Sequence, residues 1–312
     1  MYKEIIEELC NELNIKYTYL SKKWIIRLEK NNIIKYLVGN KFDLNGHAIG
    51  ILMDDKYAFY DTLKSLNIPV CLHHIFYRKN DSSTHAIGCN TYESIYEYFY
   101  KYNENIVVKI NKGLMGKDVY HIKDKEELTK ILDKIFIENK SISICPYYDI
   151  KNEYRVIILN NEIKLLFKKE KPIVIGNGVN TIKELLIEFN KNYFENIELP
   201  DTVLKQDEIY EYDWHFNLSR GSKASTKIDK ELLEKISNLA LEVTKKVGIK
   251  FASIDIIETK DKELLVLEAN SGVTINKATN FIENGREIAK SIYKEALIEL
   301  MKDWNNPSFM LC

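Results

Sequence analysis

Residues 251–270 constrain this chain most. They read FASIDIIETKDKELLVLEAN, two apolar runs separated by a charged turn. Runs of this length and β-branched content predict two strands, Phe251–Glu258 and Leu264–Glu268. A short turn between them can set Asp255 beside Glu268, with Asn270 two residues on and on the same face if the strand continues. Two carboxylates and an amide oxygen on adjacent strands are hard oxygen ligands, suited to Mg2+ held jointly with substrate phosphates. Taken alone, Asp255 also reads as an exposed polar position of an alternating strand. Its neighbours Ile254 and Ile256 leave no obvious solvated face there.

Upstream the pattern alternates between helix and strand. Tyr2 to Leu13 has Ile5, Ile6, Leu9 and Leu13 on one helical face. Strands are expected at Trp24–Leu28 and Ile33–Val38, and a helix from Asp54 to Leu66 that stops ahead of Pro69. Tyr92 to Tyr102 has helical spacing, so its aromatics read as core rather than as a stacking platform. Strand Ile106–Ile110 leads into a loop with Gly113 and Gly116, then a helix from Lys125 to Ile137 and a strand at Ser141–Cys145. Asn160-Asn161 predicts a hairpin between Glu153–Leu159 and Glu162–Phe167. Thr181 and Glu184 have capping-box spacing for a helix to Phe189. Residues 193–226 read as irregular. A long helix from Asp229 to Val247 ends near Gly248, and a last helix runs from about Phe281 to Met301. This mixture argues an α/β (α+β) class. With 312 residues, two or three subdomains are expected.

Bulk properties exclude several roles. The net charge of −1 provides no field for nucleic acid or an anionic membrane. No apolar stretch reaches the ~20 residues of a membrane span, and the charged N-terminus does not read as a signal peptide. Five dispersed cysteines without a CxxC pair read as reduced thiols of a cytoplasmic protein. Arginine occurs only at positions 27, 78, 155, 220 and 286, so each planar, bidentate donor is informative. Arg220 stands in HFNLSRGSKAS, where it can fork onto a carboxylate or a phosphate. Lys109 ends an apolar strand ahead of the glycine loop. There, backbone N–H groups can close around phosphate oxygens and the lysine supplies a point charge. The loop lacks the Walker A spacing, and alone it reads as an ordinary turn. Alone, Lys56 reads as a solvated lysine in a first helical turn, and Arg155 as half of a surface ion pair.

In order along the chain, these segments resemble the ATP-grasp superfamily from about Asn45 to Leu300, in the manner of cyanophycin synthetase and the ribosomal-protein glutamate ligases. D-alanine–D-alanine ligase and glutathione synthetase are further off. DDKYAFYDTLKSLNIPV is similar to the family's opening segment, which implies that Lys56 reaches the nucleotide phosphates. VVKINKGLMGKDV resembles the phosphate-contacting strand lysine, here Lys109, and the mobile loop of Gly113, Met115 and Gly116. ISICPYYDIKNEYRVIIL resembles the adenine hinge and the strand after it. That implies Cys145, Pro146, Tyr147 and Tyr148 against adenine, Glu153 or Asp149 near the ribose, and Arg155 as the strand's arginine. PIVIGNGVNTIKELL resembles a run of cyanophycin synthetase. HFNLSRGSKAS resembles a glutamate-ligase segment and carries over Asn217 and Arg220. FASIDIIE and VLEANSG resemble the magnesium segments and carry over Asp255, Glu268 and Asn270.

The implied architecture is an ATP-grasp fold of two α+β subdomains clasping ATP. A small N-terminal α/β domain at 1–53 precedes a subdomain with the glycine-loop lid at 54–143 and one with the metal site at 144–312. The implied activity is ATP-dependent ligation of a carboxylate, of an amino acid or peptide, to an amine. The intermediate is an acyl phosphate, the products are ADP and phosphate, and the cofactor is Mg2+ or Mn2+. Lys109 and Arg220 are the catalytic candidates. Partners are small-molecule or peptide substrates and a second copy in a homodimer. The alternatives are an ATP-grasp kinase acting on a hydroxyl and a nucleotide-binding regulatory module. The chain departs from the family at Asn177, at Ser222 and in a shortened ending at Gly272 without proline, all bordering the region that binds substrate in relatives.

Overall fold

Hydrophobic periodicity sorts the chain into sheets with helices packed on chosen faces. The computed structural model describes residues 1–78, 91–113, 118–194 and 198–302. The N-terminal part comprises α1 (Tyr2–Glu12), β1 (Lys16–Leu20), β2 (Ile25–Lys30), β3 (Ile33–Val38), β4 (Lys41–Phe42) and α2 (His47–Asp54). Next come α3 (Lys56–Ser65), β5 (His74–Tyr77), α4 (Tyr92–Lys101), β6 (Ile106–Ile110), β7 (Val119–Ile122), α5 (Lys125–Glu138) and β8 (Ser141–Pro146). The remainder holds β9 (Ile150–Leu159), β10 (Glu162–Lys169), β11 (Ile173–Ile175), α6 (Ile182–Phe194), β12 (Ile209–Glu211), β13 (Ala224–Ser225), α7 (Lys230–Val247), β14 (Phe251–Thr259), β15 (Leu264–Asn270) and α8 (Gly285–Leu300).

Among the described residues the larger sheets have the orders β1-β2-β3-β4, β5-β8-β6-β7 and β13-β10-β9-β14-β15, and β11 pairs with β12. The Asn160-Asn161 hairpin forms as expected. Both residues take positive φ, 51° and 60°, as a two-residue turn between twisted strands requires. The capping box also forms: Thr181 N–H donates to Glu184 Oε2 at 2.8 Å and Glu184 N–H to Thr181 Oγ1 at 3.2 Å. Helix α7 ends on Gly248 at φ 83°, a left-handed cap that glycine adopts without strain. The last helix starts at Gly285, later than periodicity indicated, because a 3-10 turn at Ala278–Asn280 precedes it.

Alternation gives each sheet two distinct faces. In β5-β8-β6-β7 the even-numbered residues Phe76, Ile106, Val108, Ile142 and Ile144 form a core with Ile95 and Phe99 of α4 and Leu128 and Leu132 of α5. Of the α4 aromatics, Tyr98 and Phe99 are core and Tyr92 and Tyr96 pack against it, as their spacing indicated, while Tyr100 is exposed. In the five-stranded sheet, Tyr154, Val156, Ala252, Ile254, Ile256 and Val266 pack with α3 and α7. Its other face divides along the strands. One end, with Ile157, Leu159, Phe167 and Phe251, is closed by α1, α8 and the N-terminal sheet. Phe42 joins that core, 5.2 Å from Phe251 and 6.0 Å from Tyr293 between ring centroids. The opposite end of that face carries the charged residues.

Candidate functional site

Lys109 projects from the face of β6 opposite its apolar core. By register it stands across from Ser143 of β8, and Val107 stands across from Cys145. The buried Cys145 thiol donates to the Val107 carbonyl oxygen at 3.8 Å. Burial works against the Lys109 ammonium, but Cys145, Glu268, Cys71 and Glu153 around it outweigh that, so its pKa is raised. Lys56 opens α3, where Asp55 caps the helix by accepting from Ala58 N–H at 3.0 Å. Buried Asn111 ties this helix start to the glycine loop. Its side chain donates to Asp55 at 2.8 Å, and its Oδ1 accepts from Tyr57 N–H at 3.1 Å. Lys56 Nζ donates to the Gly113 carbonyl at 2.7 Å. Burial lowers the Lys56 pKa, and Glu268 acts in the opposite direction. Glu268 is thus within electrostatic reach of both lysines.

Facing them is the charged end of the five-stranded sheet. Asp255 of β14 pairs in register with Glu268 of β15 on one side and Arg155 of β9 on the other. Asp255 therefore stands beside Glu268, as read from the strand pair, and Asn270 lies across from Ser253. A bulge follows Asp255 directly, a feature that re-aims side chains next to sites. The Asp255 carboxylate is 1% exposed and held by three donors. Arg155 forks onto it through Nε at 2.7 Å and Nη2 at 2.6 Å, and Lys169 Nζ donates at 2.9 Å. Burial alone would raise this carboxyl, but Arg155 and Lys169 hold it well below the usual carboxylate range. The alternative of an exposed polar position is thereby excluded. Lys169 also reaches Glu153 at 2.5 Å, and burial raises the Glu153 pKa despite that partner.

Sequence reasoning ended β10 at Phe167 and missed Lys169. The available signal was its phase, since Leu165, Phe167 and Lys169 alternate and all three are buried. Glu268 is half-buried and accepts from Asn270 Nδ2 at 3.3 Å, which leaves the Asn270 carbonyl oxygen open to a cation. Glu268 and Asn270 therefore fit a hard divalent ion. Asp255 fits one only while sharing its oxygens with Arg155 and Lys169. Among the described residues no three His, Cys, Asp or Glu side chains form a metal-holding cluster.

Arg220 belongs to a second cluster. Its Nε lies 3.2 Å from Asp213 Oδ2, and His215 Nδ1 lies 2.5 Å from Asp213 Oδ1. Of its two expected targets, a carboxylate or a phosphate, Arg220 has the carboxylate here. Asn217 shapes the turn by accepting from Ser219 N–H at 2.8 Å. Gly221 holds φ 104°, and a Cβ there would meet Tyr212 Oη at 1.6 Å. That hydroxyl donates to the Arg220 carbonyl at 2.9 Å. Gly221→Ala is therefore expected to cost about 1–3 kcal/mol in backbone strain and to displace Arg220. A thermal-denaturation midpoint unchanged from wild type would contradict it.

In the hinge segment, the Tyr147 ring stacks on His121 at 3.9 Å and contacts Trp214 at 6.1 Å. Tyr148 Oη accepts from Leu72 N–H at 2.8 Å, and Pro146 closes β8. Met115 and Gly116 lie outside the described residues. A groove of about 350 Å³ opens beside Gly221 and Lys223. Its Lys168 alternates to the sheet face opposite Lys169, and its Lys151 and Lys171 are already paired with Glu258 and Glu211. The converging charges lie elsewhere, between the two sheets.

Known proteins share sequence and fold with this chain. Residues 147–290 match the family model of the D-ala D-ala ligase C-terminus. A cyanophycin synthetase of Geminocystis herdmanii is 23% identical over 305 residues, covering 89% of this chain and 33% of the relative. Among solved structures, D-alanine–D-alanine ligase from Bacillus anthracis superposes with a TM-score of 0.55 at 16% identity, covering 82% of this chain and 69% of that one. A bifunctional glutathione synthetase from Pasteurella multocida gives a TM-score of 0.52 at 17% identity, covering 92% and 42%. This chain spans a third or less of the length of the curated relatives it matches.

Proposed function

We propose that this chain is an ATP-grasp protein of the carboxylate–amine ligase kind, a reading its relatives support, and that it joins a carboxylate of an amino acid or peptide to an amine through an acyl phosphate. The observation that carries this reading is the opposition of Lys109 on β6, with Lys56 at the start of α3, to Glu268, Asp255 and Asn270 on the five-stranded sheet. Cations on one wall and oxygen ligands on the other are what a triphosphate with its metal needs. Lys56, Lys109 and the loop from Gly113 to Gly116 would hold the phosphates. Cys145 to Tyr148 would border adenine, with Glu153 toward the ribose and Asn217 toward the phosphates. Mg2+ or Mn2+, when bound, supplies neutralisation of the β- and γ-phosphate charge, and Glu268, Asn270 and Asp255 would hold it. Arg155 and Lys169 keep Asp255 ionised and fixed in place.

The chemistry is positioning and charge stabilisation. A substrate carboxylate attacks the γ-phosphoryl group in line and ADP leaves. The amine then attacks the acyl carbon and phosphate leaves. Lys109 stabilises the charge on the transferring group. Arg220 stabilises the oxyanion of the tetrahedral intermediate, which requires its fork to exchange Asp213 for the intermediate. Cys10, Cys71 and Cys145 are buried free thiols, which suits a cytoplasmic location. Among the described residues no helix is long and apolar enough to cross a membrane.

The test is product formation from Mg-ATP with amino acids and small peptides, singly and in pairs. ADP and phosphate with a new amide, formed only when carboxylate and amine are both present, is the expected result. A phosphorylated hydroxyl would make the protein a kinase, and AMP with pyrophosphate would rule out the acyl phosphate.

A further inference from the structure

His73 is 3% exposed, yet one of its ring nitrogens has nothing to bond. Nδ1 lies 2.7 Å from Ser143 Oγ, while Nε2 is a buried nitrogen without a partner. Counting donors decides the tautomer. Ser143 is fully buried, and among the described residues its hydroxyl bonds to His73 alone. If His73 Nδ1–H donated to Ser143, the hydroxyl proton would lack an acceptor and Nε2 would lack a donor. If Ser143 O–H donates to Nδ1, one group alone is left over, the His73 Nε2–H. A buried donor with no acceptor is destabilising and calls for one.

The surroundings indicate which acceptor. Ser143 stands across from Lys109 in the β6–β8 ladder. On the other side the His73 ring lies 6.1 Å from Tyr60 of α3, one helical turn after Lys56 and on the same helix face. The ring thus sits between the elements that carry the two lysines. Burial together with Lys109 and Lys56 keeps it neutral, its pKa well below the ordinary value. A neutral N–H donor set between two ammonium groups is placed for an anionic oxygen rather than for a further cation.

We propose that His73 is a nucleotide-binding residue whose Nε2–H donates to a phosphate oxygen beside Lys56 and Lys109. This rests on the reading of the chain as an ATP-dependent enzyme. The donor adds direction, which two flexible point charges do not supply.

The test compares Mg-ADP affinity of the full chain by calorimetry with that of His73→Gln and His73→Asn. A glutamine amide nitrogen reaches about as far as Nε2, an asparagine nitrogen about as far as Nδ1. His73→Asn is expected to bind at least about tenfold more weakly, while His73→Gln stays within about threefold of wild type. Equal affinity in all three proteins, or an equal loss in both variants, overturns the proposal. Nitrogen-15 NMR of labelled histidine reads the same bond directly. His73 should show a protonated Nε2 in the free protein that shifts on adding Mg-ADP, and an unprotonated or unshifted Nε2 overturns it. Wild type that binds no Mg-ADP fails differently, because it rejects the nucleotide reading itself.

Discussion

Replacing Asp255 with alanine is expected to lower folding stability by about 3–5 kcal/mol and the thermal midpoint by on the order of 10 °C. The reason is what the substitution leaves behind. Arg155 and Lys169 both donate to this carboxylate, and all three groups sit between sheets. Without Asp255, Lys169 keeps Glu153, but the Arg155 guanidinium loses its fork. A buried cation stripped of its partner is costlier than the intact pair was favourable. Removing Arg155 as well, as in Asp255→Leu with Arg155→Met, should therefore recover part of the loss. A double-mutant cycle in urea measures that coupling. Additive single effects would mean that the fork carries no energy.

The same carboxylate fixes a pH dependence. Its folded pKa lies below the ordinary value of about 3.9. Its stabilisation is therefore fully present above that value and lost as pH falls through the folded pKa. The stability gap between wild type and Asp255→Ala should stay flat from about pH 8 to pH 5 and close only in acid below about pH 4. A gap that closes near pH 6 would show that Arg155 and Lys169 do not hold the group ionised.

Much of this was legible in the sequence where local pattern decides. The strand pair at 251–270 placed Asp255 across from Glu268 because a short turn leaves little freedom of register. Asn160-Asn161 and the Thr181–Glu184 box formed for equally local reasons. What escaped depends on distant partners. Lys169 extends β10 because Glu153 and Asp255 receive its charge, and neither is near it in sequence. His73 was invisible because it lies just ahead of the short strand β5 and its meaning comes from Ser143, 70 residues away. Arg220 was legible as a fork for a carboxylate, but not for which one, since Asp213 lies in a segment read as irregular.

The largest catalytic effect is expected at Glu268. Glu268→Gln should reduce ATP turnover about 10³-fold, in the range seen when one charge-stabilising group is removed from a transfer site, while stability changes by less than about 1 kcal/mol. Glutamine preserves shape and can still accept from Asn270. It removes the negative charge that faces Lys56 and Lys109 and an anionic ligand for the metal. No buried cation is left in a hydrogen-bonded fork without its partner, unlike the Asp255 case, so the loss should fall on turnover rather than folding. The two carboxylates are neighbours on paired strands, yet they are predicted to separate: one chiefly ties β14 to β9 and β10 within its sheet, the other chiefly holds the reacting charge. Steady-state ADP release and a urea unfolding curve on the same preparation distinguish them. Near-normal turnover in Glu268→Gln would overturn the assignment of this residue, and a stability loss matching that of Asp255→Ala would overturn the division of labour.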